Sequence, residues 1–184
     1  MKFIRQAIPD VILIKPKCYE DNRGYFAETY RQDLLERVTG YKLDFVQDNE
    51  SKSEKGVLRG LHYQLPPFAQ SKLVRVINGK VLDVALDIRK SSPTFGQHVF
   101  AELSSDNMHQ LFVPRGFAHG FVVLSDSATF SYKVDNLYSP IHERGISFND
   151  KDLAIDWRLS SNNLKLSDKD KTLPTLANAK DIFE

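Results

Sequence analysis

The segment 72–86 places the strongest local constraint on how this chain can fold. Two runs rich in β-branched and other apolar residues, Lys72–Asn78 and Lys80–Leu86, flank Gly79. The dipeptide Asn78-Gly79 is the pair that best tolerates the positive φ angles of a type I′ turn. The pattern therefore predicts two antiparallel strands joined as a tight hairpin, and it favours a mainly β fold.

Most of the remaining chain consists of short apolar or alternating runs separated by turn residues. One segment, 31–39, has helical spacing and is followed by Gly40 as a stop signal. About ten strands at this spacing are typical of a sandwich or a barrel. After Trp157 the chain is polar, and we expect an extended or irregular tail that packs over the body. The other predicted strands cover 11–14, 25–30, 43–48, 56–64, 97–103, 109–113, 117–124 and 127–135.

Composition and charge exclude several classes of protein. The 184 residues are 41% hydrophobic and carry a formal net charge of +1, which is typical of one globular domain spanning 1–184. No block of basic residues indicates a nucleic-acid partner, and no apolar run approaches the ~20 residues of a membrane helix. Cys18 is the only cysteine, which precludes an intrachain disulfide, and the N-terminal residues lack the apolar core of a signal peptide. We expect a cytoplasmic protein.

Two of the five histidines have a local context that favours a function. His62 and His119 lie in predicted strands next to glycines, which allow another group to approach the backbone closely. Strict alternation places Arg59 and His62 on opposite faces of their strand. A β-bulge at Gly60 would be needed to bring both side chains into one pocket.

Alternation along 127–135 predicts an inward-facing tyrosine. Phe130 and Tyr132 share one face of this strand, so the phenol should point into the apolar interior. A core tyrosine with a bonded hydroxyl is the commoner structural explanation. The functional explanation is that this tyrosine is a general acid in a pocket.

Metal-dependent and covalent chemistry receive little support from the sequence. The segment 114–119 matches the Pro-x-Gly-x-x-His signature of the cupin family of small β-barrels, but the triplet 62–64 is His-Tyr-Gln where a metal-binding cupin has His-x-His. We therefore expect no bound metal. Walker A, G-x-G-x-x-G and nucleophile-elbow motifs are absent. Arg23-Gly24 and Arg59-Gly60 are candidate phosphate-binding pairs, because guanidinium groups bind phosphate through two parallel hydrogen bonds.

Nine segments along nearly the whole chain contain characteristic motifs: 8–11, 21–28, 45–51, 56–64, 70–76, 92–96, 114–121, 132–138 and 167–170. Taken together, they resemble the dTDP-4-dehydrorhamnose 3,5-epimerase family. The resemblance implies a cupin-type jelly-roll β-barrel with a few short helices and an irregular C-terminal tail. It also implies a homodimer that exchanges N-terminal strands, and an epimerase without metal or cofactor. Its substrate would be dTDP-4-dehydro-6-deoxy-D-glucose, inverted at C3 and C5 to dTDP-4-dehydro-L-rhamnose.

The same resemblance assigns roles to individual residues. It implies that His62 is the general base with Asp170 as its carboxylate partner, Tyr132 the general acid, and Lys72 the cation that stabilises the enolate. Both C–H bonds lie next to the C4 ketone, so one base and one opposed acid suffice for inversion. The substrate-binding residues that it implies are Arg23, Phe26, Glu28, Gln47, Asn49, Arg59, His119 and Tyr138.

Three alternatives remain open at the level of sequence. A relative of the same fold could epimerise only C3 or only C5, or isomerise the ketone, because all share the enolisation step. A metal-dependent cupin oxygenase or isomerase would contain stoichiometric metal. A non-catalytic sugar-nucleotide-binding module would show no turnover at all.

Overall fold

The fold is built from thirteen strands and two short α-helices. A computed structural model describes all residues 1–184. Helix α1 spans Gln32–Thr39 and α2 spans Asp168–Lys171, with 3₁₀ turns at Ser161–Asn163 and Leu176–Asn178. The strands in chain order are β1 Lys2–Arg5, β2 Ile12–Lys15, β3 Cys18–Asp21, β4 Gly24–Ala27, β5 Gln47–Glu54, β6 Leu58–Gln64, β7 Lys72–Asn78, β8 Lys80–Asp87, β9 His98–Ser104, β10 Gln110–Val113, β11 Phe117–Val123, β12 Ser127–Val134 and β13 Glu143–Gly145.

Two antiparallel sheets pack face to face. The first has the order β1-β2-β10-β7-β12-β5 and the second has the order β13-β6-β11-β8-β9. The predicted mainly β class with jelly-roll character is confirmed. The prediction of a barrel is wrong, because the outer strands of the two sheets do not pair with each other and the assembly is a jelly-roll-like sandwich.

The predicted hairpin at Asn78-Gly79 is also wrong, although both of its strands form where expected. β7 pairs with β10 and β12 in the first sheet, whereas β8 pairs with β11 and β9 in the second. Each strand is therefore flanked on both sides within its own sheet. Gly79 has φ 83° and carries the chain from one sheet to the other. A Cβ at Gly79 would lie 2.1 Å from the backbone oxygen of Ser127, so only glycine fits this crossing.

Apolar side chains fill three layers. The central layer lies between the sheets and contains Val74 and Phe130 from the first sheet and Ala85 and Phe121 from the second. A second cluster, on the outer face of the second sheet, is covered by the C-terminal segment with Trp157. The third covers the outer face of the first sheet with α1 and the residues after it. Burial on both faces explains why the central strands are continuous apolar runs.

The helix and the tail largely match expectation. α1 ends at Gly40, whose φ of 83° and N–H bond to the Glu36 carbonyl form a left-handed cap. The segment after Trp157 is mostly irregular and packs over the second sheet, but it contains the short helix α2. No helix is both long and apolar enough to span a bilayer.

Candidate active site

A cleft of about 530 Å³ opens where the two sheets meet the C-terminal segment. Residues from both sheets line it, and the segment 165–170 closes one side. The cleft brings together seven of the residues predicted from the sequence: Asn49, Arg59, His62, Lys72, His119, Tyr132 and Asp170.

A β-bulge aims His62 into the cleft. Arg59 pairs with Phe121 and His62 with His119, so three steps along β6 match two steps along β11. The extra residue brings Arg59 and His62 to the same cleft, which confirms the bulge expected at Gly60.

Close backbone packing explains the glycine at this bulge. Gly60 has φ 131°, and a Cβ there would lie 2.5 Å from the Cα of Gly120. A Cβ at Gly120 would in turn lie 2.8 Å from the Arg59 carbonyl oxygen. The two strands can approach this closely only because both positions lack side chains.

Asp170 holds the imidazole of His62 from the side of α2. Asp170 Oδ1 lies 2.6 Å from His62 Nε2, and Asp170 is 3% exposed. Burial alone would raise the pKa of Asp170, but the hydrogen bond and the attraction of His62 outweigh burial and lower it. The carboxylate is therefore ionised and accepts, which makes Nε2 the donor and leaves the Nδ1 lone pair free as a base.

Ser167 fixes the approach of this carboxylate. It is the N-cap of α2, and its Oγ accepts a hydrogen bond of 3.1 Å from the Asp170 backbone N–H. The cap orients the first turn, so the Asp170 side chain points toward His62.

Tyr132 reaches the cleft from the opposite sheet. It lies on β12 next to the buried Phe130, on the inward face predicted by alternation. Burial raises the pKa of Tyr132, with an opposing effect from Arg59. The phenol therefore keeps its proton at neutral pH and can donate it.

Lys72 contributes a cation with an unusually low proton affinity. Lys72 is partly exposed and lines the cleft. Burial lowers the pKa of Lys72 to about 8, against the attraction of Asp83 and Glu143. An ammonium with this pKa is charged at neutral pH and poorly solvated, which suits it to stabilise a developing oxyanion.

A second histidine–carboxylate pair supports the floor of the cleft. Both carboxylate oxygens of Asp83 lie 3.0 Å from His119 Nε2, and Asp83 has no exposed surface. Burial raises the pKa of Asp83, although His119 and Lys72 oppose the shift. Sequence reasoning missed Asp83, yet a charged residue within the apolar run of β8 was a signal that could have found it.

Glu143 and Lys169 were also missed. The Glu143 carboxylate accepts from the Tyr138 hydroxyl at 2.8 Å and forms an ion pair with Lys169 Nζ at 2.5 Å. Burial would raise the pKa of Glu143, but these hydrogen bonds lower it. Glu143 lies in a short edge strand without a local signal, whereas Lys169 directly precedes Asp170 within one of the matched segments.

A smaller cavity of about 210 Å³ adjoins the cleft and shares Asn49, His62, Lys72 and Tyr132 with it. Gln47 and Tyr138, two further predicted residues, line this cavity. Gln47 Nε2 donates to Asn49 Oδ1 at 2.8 Å, so these side chains form one polar wall. The cleft and this cavity provide one continuous space for a reacting group and an attached polar moiety.

Three predicted residues lie outside this space. Arg23 is in the turn of the β3–β4 hairpin and bonds to Asp21, while Phe26 is 66% exposed on β4. Glu28 follows that strand and contacts Arg31. Within one chain, none of the three lines the cleft or its side cavity.

The chain offers no clustered metal-ligand set. No three side chains of His, Cys, Asp or Glu lie close enough together to hold an ion. The side chains of His62 and Tyr132, with Lys72 in the same cleft, are suited to move protons to and from a bound substrate.

The fold is a jelly-roll-like sandwich, and His62 and Tyr132 face one cleft from its two sheets. A sequence model described as dTDP-4-dehydrorhamnose 3,5-epimerase matches residues 5–178. The chain belongs to this family, whose members are epimerases acting on a nucleotide-linked sugar.

Individual relatives agree with this assignment. The dTDP-4-dehydrorhamnose 3,5-epimerase of Shigella flexneri is 56% identical over 170 residues, covering 92% of this chain and 93% of the relative. A crystal structure of the Legionella pneumophila enzyme in complex with dTDP-4-keto-L-rhamnose is 47% identical, with TM-score 0.92 and coverage of 96% and 93%. A 3′-monoepimerase from Streptomyces bikiniensis in complex with dTDP-quinovose is 31% identical, with TM-score 0.87 and coverage of 95% and 88%.

Proposed function

We propose that the cleft converts dTDP-4-dehydro-6-deoxy-D-glucose to dTDP-4-dehydro-L-rhamnose by inverting C3 and C5. The observation that carries the proposal is the placement of His62 and Tyr132 on opposite sheets facing one cleft, with Lys72 in the same space. Inversion requires that a proton leave one face of the sugar and return to the other. A base and an acid on facing sheets provide this arrangement.

Each epimerisation is a balanced pair of proton transfers. His62 Nδ1 takes the proton from the carbon next to the ketone, and the C–H electron pair moves into the enolate. The Lys72 ammonium, with His119 nearby, stabilises the charge that develops on the ketone oxygen. Tyr132 then gives its proton to the opposite face of the carbon, and exchange with solvent restores both side chains.

Asp170 acts through His62 in this mechanism. Its carboxylate accepts from Nε2, which holds the tautomer with a free Nδ1 and stabilises the imidazolium that forms. Asp170 is therefore a positioning residue, and His62 and Tyr132 are the catalytic pair.

The nucleotide end of the substrate would occupy the mouth of the cleft and the side cavity. Arg59, Lys165 and Lys169 line the cleft and suit a diphosphate. Gln47, Asn49 and the half-exposed ring of Tyr138 provide polar edges and an aromatic face for a base and its sugar.

The β3–β4 hairpin supports a homodimer with exchanged N-terminal strands. This hairpin forms a two-stranded sheet of its own and pairs with no other strand of the chain. Its aromatic residues Tyr19, Tyr25 and Phe26 are between 53% and 66% exposed. We propose that the hairpin packs on a partner chain, where Arg23, Phe26 and Glu28 complete the partner's nucleotide site.

Proton NMR of the substrate with enzyme in D₂O tests the reaction directly. We expect loss of both the C3 and C5 proton signals, because solvent deuterium replaces each abstracted proton. Loss at only one carbon would instead favour a mono-epimerase. Absence of exchange would refute catalysis by this cleft and leave a binding module.

A His62→Ala variant tests the assignment of the base. Exchange at both carbons should fall by roughly 10²–10⁴-fold, the usual contribution of a general base. Exchange at the wild-type rate would exclude His62 from this role. The absence of a metal or cofactor, the single domain and the cytoplasmic location remain predictions.

A further inference from the structure

Gln64 is the last residue of β6 and lies two positions after the proposed base His62. It occupies the position at which a metal-binding cupin has the second histidine of its His-x-His triplet. Gln64 lines the side cavity and is only 4% exposed, yet the proposed proton transfers do not use it. The partners of its buried amide show what it does instead.

Both polar atoms of the Gln64 side chain bond to backbone groups. Nε2 donates to the carbonyl oxygen of Phe68 at 2.7 Å and to that of Leu137 at 3.1 Å. Oε1 accepts from the backbone N–H of Ser139 at 2.7 Å. Leu137 and Ser139 are the residues on either side of Tyr138. The amide therefore holds the chain immediately before and immediately after this tyrosine.

The loop that carries Tyr138 has little packing of its own. It joins β12 to β13 over 135–142, and its apolar residues Leu137 and Ile141 are both more than half exposed. Near the start of the loop, Gln70 Nε2 donates to the Asn136 carbonyl oxygen at 2.8 Å. The middle of the loop thus depends on polar contacts rather than on a buried apolar core.

Tyr138 connects this loop to the wall of the side cavity. Its hydroxyl donates to Glu143 at 2.8 Å, and its backbone N–H lies 3.4 Å from Gln47 Oε1. Glu143 is in turn the residue paired with Gln64 across β13 and β6. The Gln64 amide therefore ties the strand that carries the base to the polar and aromatic wall of the cavity.

We propose that Gln64 is a positioning residue that holds Tyr138 in place before a nucleotide binds. This inference rests on the proposed function, which assigns the nucleotide end of the substrate to this wall. A loop already held in its binding conformation avoids the entropic cost of becoming ordered on binding. Loss of the amide should therefore weaken nucleotide binding and leave the proton-transfer step largely unaffected.

A Gln64→Met variant removes the amide and keeps an unbranched side chain of similar length. We expect the Kd of dTDP, measured by calorimetric titration of the full-length protein, to rise about tenfold. This rise corresponds to a held conformation that is populated about one tenth of the time. KM for the substrate should rise similarly, whereas kcat should stay within about threefold of wild type, since saturating substrate orders the loop. A Kd within about twofold of wild type, or a loss confined to kcat, would overturn the proposal.

Asn107→Leu is the matched control for loss of a backbone-binding amide. Asn107 also makes three bonds to backbone, donating to the Glu102 carbonyl oxygen and accepting from the N–H groups of Ser104 and His109. It lies between β9 and β10, outside the cleft and the side cavity. Its substitution should lower the melting temperature but leave the Kd of dTDP unchanged. An equal rise in Kd would assign the Gln64 effect to general destabilisation and refute the proposal.

A double-mutant cycle tests whether Gln64 acts through Tyr138. In a Tyr138→Ala background, Gln64→Met should raise the Kd of dTDP by less than about twofold, because the ring that the amide positions is absent. Residues that act as one unit give such non-additive effects. Fully additive effects of the two substitutions would overturn the proposed connection.

Hydrogen exchange on the wild-type protein tests the contact without any substitution. The Ser139 amide should be protected in the free protein, because its N–H is held by Gln64 Oε1. Exchange at the rate of an unstructured peptide would refute a pre-formed wall. The dTDP titration of the wild-type protein separates the two proposals. Absence of binding would refute the nucleotide site and this inference together, whereas binding that Gln64→Met leaves unchanged would refute this inference alone.

Discussion

The Asp170→Asn substitution provides the sharpest test of the proposed mechanism. An asparagine is nearly the same size and can still accept from His62 Nε2, so the change removes the charge and keeps the geometry. The Asp170 backbone bond to Ser167 does not depend on the side chain and should persist. The substitution therefore isolates the electrostatic contribution of a carboxylate that lies 2.6 Å from the imidazole.

The expected magnitude follows from the strength of this contact. A hydrogen bond to a charged group contributes about 1.5–3 kcal/mol. If all of this stabilises the imidazolium in the transition state, kcat should fall roughly 10- to 150-fold. KM should change little, because Asp170 is proposed to act through His62.

Steady-state kinetics and deuterium exchange together measure this effect. Exchange at C3 and C5 should slow by the same factor, because one base serves both carbons. Asp168→Asn is the matched control, since Asp168 lies in the same short helix with a fully exposed side chain paired to Lys171. A kcat for Asp170→Asn within about twofold of wild type, or an equal loss in the control, would refute the proposed pair.

Three further predictions concern the acid, the cation and the bulge. Tyr132→Phe should retain proton abstraction but slow epimerisation by roughly 10²–10⁴-fold; product formation at the wild-type rate would exclude the phenol as acid. Because the pKa of Lys72 is lowered to about 8, activity that needs the ammonium should decline as pH rises through about 8. Lys72→Arg should remove this decline in kcat/KM profiles, and an unchanged basic limb would contradict the assignment. Gly60→Ala and Gly24→Ala both place a side chain at a positive φ, at a cost of about 1–3 kcal/mol in the free energy of unfolding. Only Gly60→Ala meets the Cα of Gly120, so it should cost a further ~1–3 kcal/mol in denaturant unfolding; equal costs would refute the crowding argument.

Local sequence patterns predicted the elements that depend on near neighbours. The helix ended at Gly40, as its stop signal indicated, and alternation placed Tyr132 on the inward face of β12. Strict alternation placed Arg59 and His62 on opposite faces of their strand, so a shared pocket required a β-bulge at Gly60. The structure contains this bulge. In each case the evidence lay within a few residues along the chain.

Strand β5 shows where local patterns fail. The sequence predicts a strand over 43–48, but β5 begins at Gln47 and extends to Glu54 through mostly polar residues. This edge strand pairs only with β12, and mainly Ser53 is buried. Its existence depends on backbone hydrogen bonds to a neighbour, which hydrophobic periodicity does not record.

The residues of the candidate site also differed in how far the sequence could predict them. His62 and Asp170 are 108 positions apart, and only the resemblance to a known family linked them before the structure placed them in contact. Asp83, Glu143 and Lys169 were identified from the contacts that their side chains make around the cleft. Their roles depend on distances between elements that are remote in sequence.

The sequence by itself determined the mainly β class, the position of most strands and the family. It also determined which residue types were available for proton transfer. Only the tertiary structure decided that the strands flanking Gly79 belong to different sheets and that the sheets form a sandwich. The physical reason is that turn and strand propensities are local, whereas the choice of partner strand depends on which apolar faces can be buried together across the whole chain.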